Sequence, residues 1–180
     1  MHSFCVILPY FINETGHWPN YIDWYFASCK ANNTIDFHIF TDDHSIDRWG
    51  EEKNIFLHHM SFAEAVELVR DKLDGARMPR PYKFCDYKQA YGVIFADWVK
   101  DYDYWASCDC DLLFGNIRHH FPDERLEKYD KMMVTGQFQI SRNTDEVNHY
   151  YELKRPADSR YKELNWEVVK NSDKSFGYDE

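Results

Sequence analysis

Residues 103–116 read Asp-Tyr-Trp-Ala-Ser-Cys-Asp-Cys-Asp-Leu-Leu-Phe-Gly-Asn, and this stretch decides how the chain is interpreted. Tyr104 to Cys108 has the character of a buried strand, and two carboxylates, Asp109 and Asp111, follow it. Carboxylates beside an apolar run are costly to desolvate unless they are paired, hydrogen-bonded or bound to a cation. In an extended chain, these two side chains point to the same side and suit Mg2+ or Mn2+. The alternative is a solvated pair that shapes a turn.

The size and charge of the chain restrict its class. Its 180 residues suit one domain with a substantial core, and a hydrophobic content of 44% fits a folded protein. The net charge of −10 argues against a nucleic-acid-binding groove, because phosphate neutralisation needs clustered Lys and Arg. An acidic protein that binds a small diphosphate needs a metal ion to bridge carboxylate and phosphate. The charge therefore supports a cation at Asp109 and Asp111.

The cysteines and the apolar runs indicate a compartment. No apolar run reaches membrane-spanning length, and the first residues lack a basic region followed by a long apolar stretch. The five cysteines include no Cys-X-X-Cys motif, so we expect free thiols. We therefore predict a cytoplasmic chain with no transmembrane segment, in peripheral contact at most with the inner membrane face. A soft metal at Cys108 and Cys110 is a weaker alternative to the carboxylate site.

Strand-like and helix-like segments alternate along the chain. Apolar runs predict strands at residues 3–8, 35–40, 55–57, 104–108 and 131–134. Helical spacing and a Ser61–Glu64 capping box predict helices that bury the following residues: Ile22, Tyr25, Phe26, Cys29; Phe62, Val66, Val69, Leu73; Tyr91, Ile94, Phe95, Trp98. Another helix is predicted at 145–153. This alternation predicts an α/β sheet flanked by helices, with ligands beyond the carboxyl ends of its strands.

Three blocks of residues resemble a known family. They read Phe-Thr-Asp-Asp at 40–43, Pro-Tyr-Lys-Phe-Cys-Asp-Tyr-Lys-Gln-Ala-Tyr-Gly at 81–92 and Tyr-Trp-Ala-Ser-Cys-Asp-Cys-Asp-Leu-Leu-Phe-Gly-Asn-Ile-Arg at 104–118. Residues 126–131, 143–144 and 176–180 also match. The chain resembles the DUF6625-type group of GT-A-like glycosyltransferases from polysaccharide biosynthesis. The resemblance implies a GT-A-like, Rossmann-like mixed sheet that is mostly parallel, and a single nucleotide-sugar-binding domain over residues 1–180.

The resemblance also implies an activity and a set of site residues. It implies transfer of a sugar from a nucleotide-diphosphate sugar, with a UDP-sugar as the first candidate, to a glycan or lipid-linked glycan, using Mn2+ or Mg2+. Asp109 and Asp111 match the metal-binding Asp-X-Asp, and Asp109 also matches a ribose contact. The loop after the first strand, which holds the base, is matched by Pro9, Tyr10 and Phe11. The loop after the second strand, where base or ribose contacts are expected, is matched by Asp42 and Asp43. The matched block before the helix contains Lys83, Asp86 and Lys88.

Some of these residues have a second interpretation, and two positions depart from the family. Asp86 also has the position of a helix N-cap, and the lysines could simply be solvated. Gly136-Gln137 stands where relatives have Gly-His. Relatives continue past the terminal segment, so we expect this chain to be short at its C-terminus. Asp179 in that segment is the candidate base for the acceptor hydroxyl.

Two other functions compete with the transferase as interpretations of these motifs. A non-catalytic nucleotide-sugar-binding domain would bind the donor without turnover. A haloacid-dehalogenase-like phosphatase also uses Asp-X-Asp after a strand. Here, however, the motif lies past the midpoint of the chain, and the acidic pair Asp42-Asp43 precedes it. The histidine pairs His58-His59 and His119-His120 are predicted to be surface or packing residues, in preference to zinc ligands.

Overall fold

A six-stranded sheet organises the part of the chain that the computed structural model describes, residues 1–12, 15–133, 136–153 and 165–176. Its strands are β1 Phe4–Pro9, β2 Asp36–Thr41, β3 Ile55–His59, β4 Tyr104–Cys108, β5 Lys131–Met132 and β6 Phe138–Arg142. The strand order is β3-β2-β1-β4-β6-β5. β3, β2, β1 and β4 are parallel, whereas β6 is antiparallel to both β4 and β5. The predicted α/β fold with a mixed, mostly parallel sheet is confirmed.

Helices cover both faces of this sheet. They are α1 Ile22–Ala31, α2 Phe62–Lys72, α3 Phe84–Tyr87, α4 Tyr91–Ile94, α5 Ala96–Val99, α6 Ile117–His120, α7 Asp123–Leu126, α8 Asp145–Asn148 and α9 Trp166–Lys170, with 3-10 turns at Asp47–Glu51, Pro81–Lys83, Lys88–Ala90 and Tyr150–Glu152. Val6 of β1 packs in one core cluster with Tyr25 of α1, and the next residue, Ile7, packs in another with Val69 of α2. Among the described residues, no helix has both the length and the apolar character to cross a bilayer.

Local sequence signals account for the first two helices. The four buried residues of α1 are the four predicted ones, Ile22, Tyr25, Phe26 and Cys29. At the start of α2, the Glu64 amide donates to Ser61 Oγ at 3.2 Å, and the Ser61 amide donates to Glu64 Oε2 at 2.7 Å. This is the predicted capping box, which satisfies two amides that have no partner inside the helix. All five cysteines are free thiols, as predicted.

Asp86 is not a helix N-cap, which corrects one interpretation of the sequence. The helical stretch begins earlier, with Pro81 in the first position of a 3-10 turn, and Asp86 lies inside α3. Pro suits that position because its fixed φ is helical and no amide partner is needed there. The Asp86 carboxylate is fully buried, and it pairs with Lys83.

Residues 131–153 depart from the prediction in a second way. β5 ends at Met132, and Val134 at the end of the predicted strand lies outside the described residues. The strand β6 was not predicted, because its Gln139 and Ser141 are buried polar residues that hide the apolar alternation. The predicted helix at 145–153 consists of α8 and a 3-10 turn.

A close approach at Gly92 fixes the helical stretch against β4. Trp105 of β4 donates its indole N–H to Asn148 Oδ1 at 2.7 Å, and a Cβ added at Gly92 would overlap both groups. Only glycine therefore fits here without a shift of those side chains. The stretch that carries Lys88 is held in this way against the strand that leads to Asp109.

Candidate functional site

A cleft of about 390 Å³ lies beyond the carboxyl ends of β1 and β4. The two strands are parallel neighbours, so the loops that follow them meet at one edge of the sheet. Six of the predicted site residues line the cleft: Pro9, Tyr10, Phe11, Lys88, Asp109 and Asp111. A larger cavity of about 540 Å³ beside Asn32 and Arg118 is lined by none of the predicted residues. The cleft is therefore the candidate site.

Asp109 forms an ion pair with Lys88 in the wall of the cleft. Lys88 Nζ lies 2.9 Å from Asp109 Oδ1 and 3.0 Å from Oδ2. The lysine side chain is 2% exposed, whereas that of Asp109 is 32% exposed. The Asp109 amide donates to the Gln137 carbonyl at 3.0 Å, which continues the β4–β6 pairing past the strand end. Because a carboxylate offers about four lone-pair sites, this pairing does not exclude a cation.

Asp111 is exposed and lies in a turn. β4 ends at Cys108, and residues 110–111 turn away, so the extended geometry assumed for the two carboxylates does not apply. Both side chains nevertheless line the cleft. Two carboxylates beside one lysine leave a net charge of −1. This donor set fits Mg2+ or Mn2+, which proteins bind through one or two carboxylates together with substrate phosphates.

The two cysteines of this turn do not support the soft-metal alternative. Burial, together with the charges of Asp111 and Asp109, raises the pKa of the Cys110 thiol to about 11. Burial raises the pKa of Cys108 to about 12, and its Sγ lies 3.2 Å from Tyr25 Oη. Among the described residues, neither thiol belongs to a group of three or more potential metal ligands, so the carboxylate oxygens of Asp109 and Asp111 remain the better donors of this turn.

Lys83 and Asp86 do not line the cleft; they form a sealed pair. Both side chains are 0% exposed, and Lys83 Nζ lies 2.8 Å from Asp86 Oδ2. Lys83 also donates to the Lys174 carbonyl at 2.6 Å, and the Phe176 amide donates to Asp86 Oδ1 at 2.9 Å. The pair therefore ties the segment 165–176 to the helical stretch. Its predicted contact with a nucleotide gains no support from this position.

Asp42 and Asp43 shape the loop after β2 and do not line the cleft. Asp42 Oδ1 accepts a hydrogen bond from the Ile12 amide at 2.8 Å, which joins this loop to the one after β1. Asp43 Oδ2 accepts from the Ser45 amide at 3.3 Å. Their predicted contact with base or ribose stays a prediction. Asp179, the candidate base, lies outside the described residues.

Comparison with known proteins assigns the chain to a family. The model of DUF6625, described as a family of unknown function, matches residues 6–180. The chain belongs to this family. A solved structure of the galactosyltransferase LgtC in complex with donor and acceptor sugar analogues is similar over 81% of this chain, with a TM-score of 0.47 and 11% identity. The match spans 60% of that protein's chain and says nothing about activity. No curated protein matches.

Two tyrosines of this DUF6625 protein line the cleft and were not predicted. Tyr21 is 43% exposed and Tyr82 is 61% exposed, although large aromatic side chains usually bury more of their surface. Burial and the neighbouring Cys110 and Asp111 raise the pKa of Tyr21. Tyr82 lies in the matched block 81–92, which was the available signal, whereas nothing in the sequence marks Tyr21.

Three potential metal ligands meet outside the cleft, at the carboxyl ends of β2 and β3. His44, Asp47 and His59 place their ligand atoms within 4.8 Å of one another. His59 had been interpreted as a surface or packing residue. Its neighbour His58 is a packing residue, because His58 Nε2 lies 2.9 Å from His38 Nδ1 of β2 and the His58 ring stacks on Phe40.

Proposed function

We propose that this chain is a metal-dependent glycosyltransferase of surface polysaccharide synthesis. It would move a sugar from a nucleotide-diphosphate sugar, with a UDP-sugar as the first candidate, to a glycan or lipid-linked glycan. One observation carries the proposal: Asp109 and Asp111 follow β4 and share a cleft with the loop after β1. Parallel sheets bind their ligands at this edge, and the residue blocks that resemble glycosyltransferases contribute two of its walls.

The charged wall suits a diphosphate. Asp109 and Asp111 would hold Mn2+ or Mg2+, which when bound neutralises negative charge on the leaving diphosphate. Lys88 is almost fully buried and held against Asp109, so its ammonium sits in the cleft wall with little rotational freedom. A preorganised cation of this kind stabilises a developing anion without having to move. Lys88 is therefore the residue that we expect to face the phosphates.

The apolar wall suits a nucleobase or a sugar face. Tyr10 stacks on Trp18 with ring centroids 4.2 Å apart, and Phe11 stacks on Phe84 at 5.7 Å. These contacts hold the rings of Tyr10 and Phe11 in place. The flat side of a base would pack against the half-buried ring of Tyr10, and the exposed ring of Tyr82 at the rim offers a further surface.

Transfer also requires a group that accepts the proton of the acceptor hydroxyl. Asp179 is the candidate that the family resemblance supplies. Its role separates the transferase from the second candidate, a non-catalytic nucleotide-sugar-binding domain. A domain of that kind would keep the cleft contacts and lack turnover.

A donor screen tests the proposal. Melting temperatures of the chain are measured with UDP-, GDP-, CMP- and dTDP-sugars, each with Mn2+ and with EDTA, and nucleotide release is followed with glycan acceptors. We expect one UDP-sugar to raise the melting temperature only with Mn2+ and to release UDP when an acceptor is present. Metal-dependent binding without release would favour the binding domain. No stabilisation by any donor would contradict both functions.

A further inference from the structure

Three segments bring His44, Asp47 and His59 together at the carboxyl ends of β2 and β3, on the side of the sheet where β3 is the outermost strand. His44 belongs to the loop after β2, Asp47 opens a 3-10 turn, and His59 is the last residue of β3. Asp47 Oδ2 lies 3.0 Å from His44 Nδ1, and Asp47 Oδ1 lies 2.9 Å from His59 Nε2. Each imidazole thus directs one ring nitrogen to the same carboxylate.

These distances are close to those within the inner shell of a metal ion. Two neighbouring ligands of a tetrahedral zinc ion, each about 2.0–2.2 Å from it, lie about 3.3–3.6 Å apart, so the imidazoles would move outward by about half an ångström to admit an ion. Two imidazoles and one carboxylate are donors that Zn2+ and similar transition metals prefer, whereas Mg2+ prefers an all-oxygen shell. The donor set therefore differs in kind from the pair Asp109 and Asp111.

The ligands are held in place before any ion binds. The rings of His44 and His59 stack with centroids 4.0 Å apart and an angle of 22°. His59 is fixed by the parallel pairing of β3 with β2, where it lies opposite Thr41. A metal would therefore meet one ligand fixed on a strand and a second whose ring already contacts it, which lowers the entropy cost of assembling the site.

The electrostatic surroundings favour a cation. A pocket of about 280 Å³ beside the two histidines is also lined by Asp42 and Glu64, which add negative charge. Arg48, the nearest cationic side chain along the sequence, donates to the carboxylate of Asp23 and therefore does not pair with Asp47. The side chains of His44 and Asp47 are 71% and 51% exposed, so an ion and its water ligands have access.

We propose that His44, Asp47 and His59 form a binding site for a divalent transition-metal ion of the zinc class. Three protein ligands leave at least one position for water or an outside ligand. The ion would join the loop after β2, the 3-10 turn and the end of β3. It would lie outside the cleft and be independent of the ion that the nucleotide requires.

A zinc titration of the chelator-treated full chain tests the site. The variants are His44→Ala, Asp47→Asn and His59→Ala, and the matched control is His149→Ala. His149 is a good control because it lies 3.6 Å from a single carboxylate, that of Asp145, and is also about half exposed. Calorimetry gives the affinity for Zn2+, and the visible spectrum with Co2+ reports nitrogen and oxygen ligation without any nucleotide.

We expect one equivalent of Zn2+ to bind at these three residues in the parent and in the control. The affinity should fall by about tenfold or more in each of the three ligand variants. His44→Ala changes an exposed loop residue, so it keeps the fold, and circular dichroism verifies this for all variants. If the parent binds no Zn2+, or if the ligand variants bind it as tightly as the control, then Asp47 merely accepts two hydrogen bonds and the proposal is wrong.

Discussion

Two lysine–aspartate pairs begin in the same helical stretch, yet they have different surroundings. The pair Lys83–Asp86 is 0% exposed on both sides, and each partner has a further bond to the backbone of residues 174–176. In the pair Lys88–Asp109, the carboxylate is 32% exposed and lines the cleft. The first pair is closed by protein on all sides, whereas the second faces a space that a ligand can enter.

The two pairs differ in what completes their surroundings: Lys83–Asp86 is satisfied within the chain, whereas Lys88–Asp109 is open to a ligand. Burying two charges costs several kcal/mol per ion, and the cost is recovered only with good geometry and additional hydrogen bonds. Lys83–Asp86 has those bonds within the chain. Lys88–Asp109 lies beside a third charge, Asp111, and a diphosphate with its metal ion would complete its environment. The same two residue types thus serve folding in one place and, in our proposal, binding in the other.

The largest expected effect is the loss of stability when the sealed pair is broken. Asp86→Ala leaves the Lys83 ammonium buried without its carboxylate, and the free energy of unfolding should fall by about 3–5 kcal/mol. Urea denaturation measures this loss. The control is Asp97→Ala, which removes the partner of Lys72 in a pair where the carboxylate is 69% exposed, and should cost about 0–1 kcal/mol. Equal losses of unfolding free energy in the two variants would show that the sealed pair contributes no more to stability than the exposed pair.

The next effect concerns the pair in the cleft. Lys88→Met removes the cation that we expect to face the phosphates, so the affinity for UDP with Mn2+ should fall about tenfold, or about 1.4 kcal/mol. The affinity for Mn2+ alone should rise, since Asp109 loses a competing positive charge. Isothermal titration calorimetry measures both.

Lys30→Met is the control for this variant. It breaks an exposed pair with Glu52 on another surface and should leave both affinities unchanged. A lower affinity for Mn2+ alone in Lys88→Met would mean that Lys88 supports the ligand geometry of Asp109 and does not compete with the ion.

The sequence predicted those parts of the molecule that depend on local signals. The strand 3–8 and the helix with Tyr25 and Phe26 were found because continuous apolar runs and helical spacing are visible in a short window. The strand β6 was missed because its buried Gln139 interrupts the pattern. The α/β order also predicted ligand-binding residues beyond the carboxyl ends of the strands. The loops after β1 and β4 line one cleft there, whereas Asp42 and Asp43 after β2 do not line it.

The partners of charged residues could not be predicted in the same way. Asp86 has the local pattern of a helix cap. Its bond from the Phe176 amide joins residues 90 positions apart, so the sequence around Asp86 does not reveal it. Lys88 meets Asp109 across 21 positions, and Tyr21 and Tyr82 come to line the same cleft only after folding. Such pairings depend on tertiary structure, which a single sequence does not display.

The smallest expected effect on stability is at Asp111. Asp111→Asn keeps the size of an exposed side chain, so the free energy of unfolding without ligand should change by less than about 0.5 kcal/mol. A small rise is expected if relief of repulsion from Asp109 dominates. Thermal melting of the apo protein measures this, and Asp86→Asn serves as the contrasting variant whose melting temperature should drop. A large drop for Asp111→Asn would mean that the turn itself needs the carboxylate.

The most direct test is the affinity for UDP, measured by calorimetry with Mn2+ and with EDTA, in the parent and in Asp111→Asn. The account predicts that EDTA weakens binding to the parent by about tenfold or more, at least about 1.4 kcal/mol. Asp111→Asn should bind weakly in both conditions. If the parent binds UDP equally well with and without the chelator, or if Asp111→Asn keeps the metal dependence, the two carboxylates of the cleft do not form a metal-assisted nucleotide site.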